Sequence, residues 1–156
     1  MPKSPPTLLH IDDNKDDRFL FKKACLENGV AFNLQHVGGG KEALGYLQGT
    51  DLYADRAQFP LPDLVLLDLK MPPPDGFAVL RWIRERAEFS GLPICIFTSS
   101  FQYQDIRKAY QFGAHCFLTK SASFEKLLLL VAAISQALSQ LPPQLDSLKQ
   151  LPEFRQ

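Results

Sequence analysis

Short apolar runs alternate along this chain with segments of helical periodicity, and this alternation constrains the fold more than any other feature. The runs are Thr7–Ile11, Phe32–Val37, Leu64–Leu67, Ile94–Phe97 and Cys116–Leu118. Leu64–Leu67 is apolar throughout, which is typical of a parallel strand covered on both faces. Five strands separated by helical segments predict an α/β protein with a doubly wound, parallel five-stranded sheet.

Cap residues mark the expected ends of the helices. Asp16 and Asp17 are expected to supply the N-cap and first-turn carboxylates of the first helix. Ser123 is expected to cap the last helix, which should end at Pro142 and Pro143 because proline interrupts a helix. No repeat and no internal domain boundary is visible. We therefore expect an N-terminal extension over 1–6, a single domain over 7–141 and a polar tail over 142–156.

The composition argues against several classes of protein. The 156 residues carry 17 basic and 17 acidic side chains, so a strongly basic surface for nucleic acid is not expected. The longest apolar run, Leu127–Ile134, is far shorter than the ~20 residues of a membrane span. Cys25, Cys95 and Cys116 are widely spaced and form no metal-binding pair, which is typical of reduced thiols in a cytoplasmic protein.

Polar residues follow four of the five apolar runs at the point where each predicted strand ends. Asp12 and Asp13 follow the first run, Asp68 the third, Thr98 the fourth, and Lys120 follows the fifth closely. Ligands of open parallel sheets bind beyond the carboxyl ends of the strands, so we expect these side chains to converge. Two carboxylates ~4 Å apart repel by roughly 4 kcal/mol at an effective dielectric constant of about 20, so the trio requires a cation.

The chemistry of this cluster favours magnesium and phosphoryl transfer. Mg²⁺ prefers oxygen ligands and keeps several of its waters, as an accessible sheet edge permits. An aspartate beside the metal can attack phosphorus and form an aspartyl phosphate, while the metal and Lys120 neutralise charge on the transferred group.

Four motifs then point to one family. They are Asp12-Asp13, Asp63–Gly76 around Asp68, Thr98-Ser99 and Leu118–Lys120. In order and spacing they resemble the receiver domain of two-component response regulators, the CheY-like family. The resemblance spans about Thr7 to Leu138 and implies a flavodoxin-like (βα)5 fold with strand order 2-1-3-4-5. The Tyr53–Asp55 segment looks most similar to the stand-alone regulators of phytochrome-type sensor kinases.

The resemblance implies a role for each residue of the acidic cluster. Asp68 would be the phosphoacceptor, taking a phosphoryl group from a sensor histidine kinase. Asp13 and Asp68 would bind Mg²⁺ directly, Asp12 mainly through water, and the backbone carbonyl of Lys70 would be a further ligand.

The resemblance also implies a switch. Thr98 would bond the phosphoryl group, Lys120 would pair with it, and Phe117 would turn inward into the space that Thr98 leaves. The family often has tyrosine at the position of Phe117 and proline after the lysine. Ser121 stands here instead, so we expect a trans peptide bond.

The surface of the fourth helix, fifth strand and fifth helix would then change its partner preference. Leu129 or Leu130 should point outward because four consecutive leucines cover more than one helix face. With Phe101 and Tyr103, this outward leucine suggests a homodimer or an unknown downstream partner at that surface.

Two other functions are possible for such a chain. An aspartate-nucleophile phosphatase would have an Asp-x-Asp pair after its first strand, whereas Asp12 and Asp13 are adjacent. A pseudo-receiver that binds partners without phosphorylation typically lacks an acidic residue or the lysine, and this chain has both. The sequence therefore predicts a phosphoacceptor switch rather than an enzyme, with no nucleic-acid or membrane partner.

Overall fold

The five predicted strands form one sheet in a computed structural model that describes residues 4–149 and 151. The strand order is β2-β1-β3-β4-β5 and every neighbouring pair is parallel. The strands are β1 (Thr7–Ile11), β2 (Asn33–Val37), β3 (Leu64–Leu67), β4 (Ile94–Thr98) and β5 (Cys116–Thr119). The helices are α1 (Lys15–Asn28), α2 (Gly40–Gln48), α3 (Gly76–Arg84), α4 (Tyr103–Gln111), α5 (Phe124–Leu138) and α6 (Asp146–Lys149). The predicted flavodoxin-like fold and its strand order are confirmed.

Both faces of the sheet are covered, which explains why β3 is apolar throughout and why Leu8 and Leu9 of β1 are consecutive apolar residues. Leu9 and Ile11 of β1 belong to one core cluster, together with side chains of α2, α3 and α4. Leu8 belongs to a second cluster with side chains of α1, α5 and α6, and β3 divides its side chains in the same alternating way. A parallel strand buried on both faces has no solvent side, so it needs no polar positions.

The N-terminus of α1 differs from the prediction. Asn14 is the N-cap residue: it is extended, and its side-chain oxygen accepts a hydrogen bond from the Asp17 backbone N–H at 3.0 Å. Asp16 and Asp17 lie in the first turn, where their charges favour the positive end of the helix dipole. The prediction that these two aspartates supply the cap was therefore wrong, whereas their predicted place in the first turn is confirmed.

The segment after α5 is more closely packed than its predicted polar character suggests. It returns along α5, where the Gln144 backbone N–H donates to the Ala137 carbonyl at 3.1 Å. Ser147 Oγ donates to the Ala133 carbonyl, also at 3.1 Å. Leu148 of α6 is completely buried in the second core cluster. The packing therefore continues beyond residue 141, although residues 1–3, 150 and 152–156 of the predicted extension and tail lie outside the described part.

Several isolated apolar side chains on α5 and near the start of α4 are exposed to solvent. Leu129 is 49% exposed whereas Leu130 is fully buried, so Leu129 is the leucine of α5 that points outward, as expected. Tyr103 at the start of α4 and Phe101 in the preceding loop are also exposed. Within the described residues, no helix is both long and apolar enough to cross a membrane.

Candidate functional site

A polar cleft of about 550 Å³ lies at the carboxyl ends of the strands, as the sequence predicts. Its lining residues are Asp13, Asn14, Lys15, Asp16, Asp17, Asp68, Lys70, Ser99 and Lys120. The turns after β1, β3 and β4, the loop after β5 and the first turn of α1 meet here. The fold therefore brings the predicted carboxylates and lysine into one place.

Asp12 lies beneath the cleft and is completely buried. Its Oδ1 accepts a hydrogen bond from the Asn14 N–H at 2.9 Å, and its Oδ2 accepts one from Lys120 Nζ at 2.7 Å. Burial raises the pKa of Asp12, although the hydrogen bond from Lys120 opposes that shift. The hydrogen bonds from Asn14 and Lys120 thus stabilise the negative charge of Asp12, whereas burial disfavours it.

Lys120 connects three carboxylates. Its Nζ donates to Asp12 Oδ2 and Asp17 Oδ2, each at 2.7 Å, and to Asp68 Oδ2 at 3.0 Å. Burial lowers the pKa of Lys120, but the hydrogen bonds with Asp12 and Asp17 and the charge of Asp68 raise it above its ordinary value. A permanently charged ammonium group therefore lies at the centre of the acidic cluster.

Asp68 directly follows β3 and is almost completely buried, and it lines the cleft. Its Oδ1 accepts a hydrogen bond from the Lys70 N–H at 3.2 Å. Gly76 at the start of α3 packs against its backbone so closely that a Cβ there would lie 2.2 Å from the Asp68 carbonyl oxygen. Helix α3 and Lys120 thus fix Asp68 from two sides.

Thr98 is also completely buried, at the end of β4, and its Oγ1 has no hydrogen-bond partner among the described residues. An unpaired buried hydroxyl costs about 1–3 kcal/mol, and the Thr98 hydroxyl is available to form a hydrogen bond with a ligand. The neighbouring Ser99 lines the cleft instead. Phe117, the predicted switch residue, is already buried and borders a separate cavity with Ile106 and Tyr110.

The acidic cluster can hold a metal ion. Asp12, Asp13 and Asp68 each place one carboxylate oxygen within 4.8 Å of the others, and Asp13 is exposed at the cleft. Three hard oxygen donors, of which Asp13 is accessible to water, suit a divalent cation such as Mg²⁺ or Mn²⁺.

Two charged residues of the site were missed at the sequence level. Asp17 pairs with Lys120, 103 positions away. Asp105, in the first turn of α4, accepts a hydrogen bond from Ser100 Oγ and forms an ion pair with Lys70 Nζ at 3.2 Å. The Ser100 hydroxyl first, and then Lys70, lowers the pKa of Asp105. The one local signal for Asp17 is its place in the first turn of the helix that directly follows Asp12 and Asp13.

Two histidines lie behind Asp12. His10 Nε2 is 3.7 Å from Asp12 Oδ2, and the rings of His10 and His36 are 5.0 Å apart. Burial, then the neighbouring His36 charge, lowers the pKa of His10 well below its ordinary value. Burial, then the charges of Arg18 and Lys22, lowers the pKa of His36 to about 4. Both rings are therefore neutral at pH 7.

The peptide bond after Lys120 matches its prediction. The cis bonds of the described chain are Pro73–Pro74 and Leu141–Pro142, so the Lys120–Ser121 bond is trans.

The fold and this arrangement of carboxylates, lysine and hydroxyl define a class of signalling domain. The sequence profile of the response regulator receiver domain matches residues 8–132. The chain therefore belongs to the response regulator receiver domain family, as the motifs indicated.

Comparison with individual relatives indicates which kind of response regulator this chain is similar to. The chain is similar to response regulator Rcp1 of Synechocystis sp., with 29% identity over 130 residues, covering 83% of this chain and 86% of Rcp1. It is similar to the crystal structure of the phosphorylated cyanobacterial phytochrome response regulator RcpA, with TM-score 0.78 and 30% identity, covering 88% and 96% of the two chains. The Mn²⁺-bound form of Rcp1 matches with TM-score 0.74 and 29% identity over 85% and 93%. The predicted likeness to stand-alone regulators of phytochromes is thereby confirmed.

Proposed function

We propose that this chain is a single-domain response regulator in which Asp68 accepts a phosphoryl group from the histidine of a sensor kinase. The observation that carries this proposal is the position of Asp68, whose Oδ2 accepts a hydrogen bond from Lys120 at 3.0 Å on the floor of an acidic cleft. The similarity to a phosphorylated phytochrome response regulator supports the same function.

The transfer exchanges one bond to phosphorus for another. A carboxylate oxygen of Asp68 forms a bond to phosphorus as the bond to the kinase histidine nitrogen breaks, and the electron pair of that bond returns to the imidazole. Lys120 offers positive charge to the phosphoryl oxygens, and positioning and charge neutralisation are most of what such a transfer requires. The unpartnered hydroxyl of Thr98 supplies a further donor for one of these oxygens.

The proposal includes Mg²⁺ as cofactor. Asp12, Asp13 and Asp68 would hold it together with the backbone carbonyl of Lys70, and the Mn²⁺-bound form of a relative supports divalent-ion binding. When bound, the metal neutralises charge on the phosphoryl oxygens.

The kinase would approach over the N-terminal half of α1. Asp16 and Asp17 in its first turn line the cleft, and Phe19 and Leu20 in its next turn are 68% and 40% exposed. Exposed apolar side chains beside an active site are typical of a protein-binding surface.

The surface formed by α4, β5 and α5 would bind the partner that responds to phosphorylation. Movement of Thr98 toward the phosphoryl group would open space beside Phe117, and repacking of that ring would alter the binding of a downstream protein or a second copy. Exposed Tyr110 and Leu129 make that surface suitable for an apolar contact. Light scattering with and without a phosphate mimic tests the homodimer, and a monomer at high concentration in both conditions would contradict it.

We further propose that the chain is a cytoplasmic switch and not an enzyme with a separate substrate. The test is incubation with a small-molecule phosphodonor and Mg²⁺, followed by intact mass measurement and peptide mapping. We expect one phosphoryl group, labile to hydroxylamine, at Asp68, and no adduct in Asp68→Asn. The exposed Asp55, away from the cleft, provides the matched control: Asp55→Asn should be phosphorylated normally. Phosphorylation of Asp68→Asn, or none in the wild type, would contradict the proposal.

A further inference from the structure

Two of the three cysteines lie side by side on neighbouring strands. Cys95 of β4 is the register partner of Cys116 of β5, and both belong to the core cluster on the α1 and α5 side of the sheet. Register partners on adjacent strands are about 4.8 Å apart, within the Cα separation of about 4.4–6.8 Å that a disulfide spans. A bond between these sulfurs is therefore compatible with the spacing of the strands.

The two thiols differ in position and in pKa. Both side chains are buried, Cys116 at 2% and Cys95 at 0% exposure, but Cys116 borders a cavity of about 500 Å³ that His115 and Lys149 also line. Hydrogen bonding from the Cys95 thiol, supported by the charge of Lys149, lowers the pKa of Cys116, and the same bond raises the pKa of Cys95. A small oxidant would therefore have to reach Cys116 through this cavity, and Cys116 is the more acidic thiol of the two.

Cys25 offers a comparison within the same chain. It also borders a cavity, of about 400 Å³ between α1 and β2, and it is a free cysteine. Burial raises the pKa of Cys25 to about 12, whereas hydrogen bonding with Cys95 lowers the pKa of Cys116. Cys25 and Cys116 both border a cavity, so the feature that distinguishes Cys116 is its chemical environment.

We propose that Cys116 and Cys95 form a reversible redox site that responds to hydroperoxides. The Cys116 thiolate attacks the peroxide oxygen, its O–O bond breaks, and protonation of the leaving oxygen releases water or an alcohol. The Cys95 sulfur then attacks the resulting sulfenic acid, forming the disulfide and releasing water. The pair is oxidised by two electrons and the peroxide is reduced; a dithiol reductant reverses the bond.

The disulfide would lie close to the proposed switch. Cys116 immediately precedes Phe117, and Cys95 is three residues before Thr98. A covalent link between β4 and β5 at this level would restrict relative movement of the two strands that carry these residues. The redox site is separate from the proposed phosphorylation of Asp68, so either can fail without the other.

The test treats the full native chain with hydrogen peroxide, alkylates it under denaturing conditions and measures the mass without reductant. We expect the wild type to lose two hydrogens and to retain one alkylatable cysteine, Cys25. Cys25→Ser should still form the bond, and Cys95→Ser should accumulate a sulfenic acid at Cys116 that dimedone traps. Three alkylated cysteines in the peroxide-treated wild type, or oxidation of Cys25 as fast as Cys116, would overturn the proposal. The wild-type measurement decides even if a variant fails to fold.

Discussion

Two lysines beside Asp68 have opposite environments. Lys120 is only 13% exposed and its ammonium group contacts three carboxylates. Lys70 is 55% exposed and pairs with a single carboxylate, Asp105 on α4. Both are positive charges close to the same acidic cleft, yet one is part of the interior and the other part of the surface.

This difference separates two tasks. A buried ion pair leaves a strongly unfavourable charge behind when one partner is removed, whereas an exposed pair contributes little to stability. Lys120 therefore holds the acidic cluster together, and Lys70 links the loop after β3 to the start of α4 without contributing much to the fold.

The largest expected effect is that of Lys120→Met. Its removal leaves Asp12 and Asp68 buried without their cation, so we expect a loss of about 3–5 kcal/mol in unfolding free energy when no divalent ion is present. Urea denaturation measures it. Lys70→Met is the matched control and should change stability by less than about 1 kcal/mol. Equal effects of the two substitutions would remove the distinction between the lysines.

A substitution at Gly76 should also disturb the site, because Gly76 packs against the backbone of Asp68. A Cβ at Gly76 would lie 2.2 Å from the Asp68 carbonyl oxygen and 2.6 Å from the Leu69 Cα, so Gly76→Ala should destabilise by about 2–3 kcal/mol. Gly91→Ala is the control, because no atom lies within 4 Å of a Cβ there. Thermal denaturation of both variants compares them, and a harmless Gly76→Ala would show that α3 does not constrain Asp68.

Lowering the pH should reduce the stability of the fold through His36, which lies behind Asp12. The pKa of His36 is about 4 in the folded chain against 6.5 ordinarily, so the unfolded chain binds the extra proton between these values. Stability contributed by neutral His36 is complete above pH 6.5 and is lost as the pH falls toward 4. After allowance for partial exposure, we expect a loss of about 2 kcal/mol.

Denaturation of wild type and His36→Leu at pH 7 and pH 4.5 measures this loss. The variant should lose less stability between the two pH values than the wild type, because its residue 36 does not titrate. Identical losses in both proteins would show that His36 is not protected from protonation in the fold.

The smallest of these effects concerns the exposed carboxylate. Asp13→Asn should weaken Mg²⁺ binding about tenfold, or about 1.4 kcal/mol, because it removes one charged ligand. Mg²⁺ should raise the melting temperature of the wild type more than that of the variant, since a ligand of the folded state stabilises it. Asp55→Asn should respond to Mg²⁺ as the wild type does.

Local sequence patterns predicted the fold and most of the site. The apolar runs of β1 and β3 match the observed strands because a doubly covered strand is recognisable from its own residues. The family motifs located Asp68 and Lys120. Asp17 was missed because its partner Lys120 is 103 positions away, and Asp105 was missed because its ion-pair partner Lys70 lies on the loop of another strand. The burial of Leu148 was missed because polar residues separate it from Leu145 and Leu151, which lie three positions before and after it.

The identity of the phosphorylated residue tests the central claim most directly. Borohydride reduces an aspartyl phosphate to homoserine, so treatment after exposure to a phosphodonor and Mg²⁺ should convert position 68, and no other, to homoserine in the peptide map. Conversion that is absent, or that falls on Asp12, Asp13 or another carboxylate, would contradict the account.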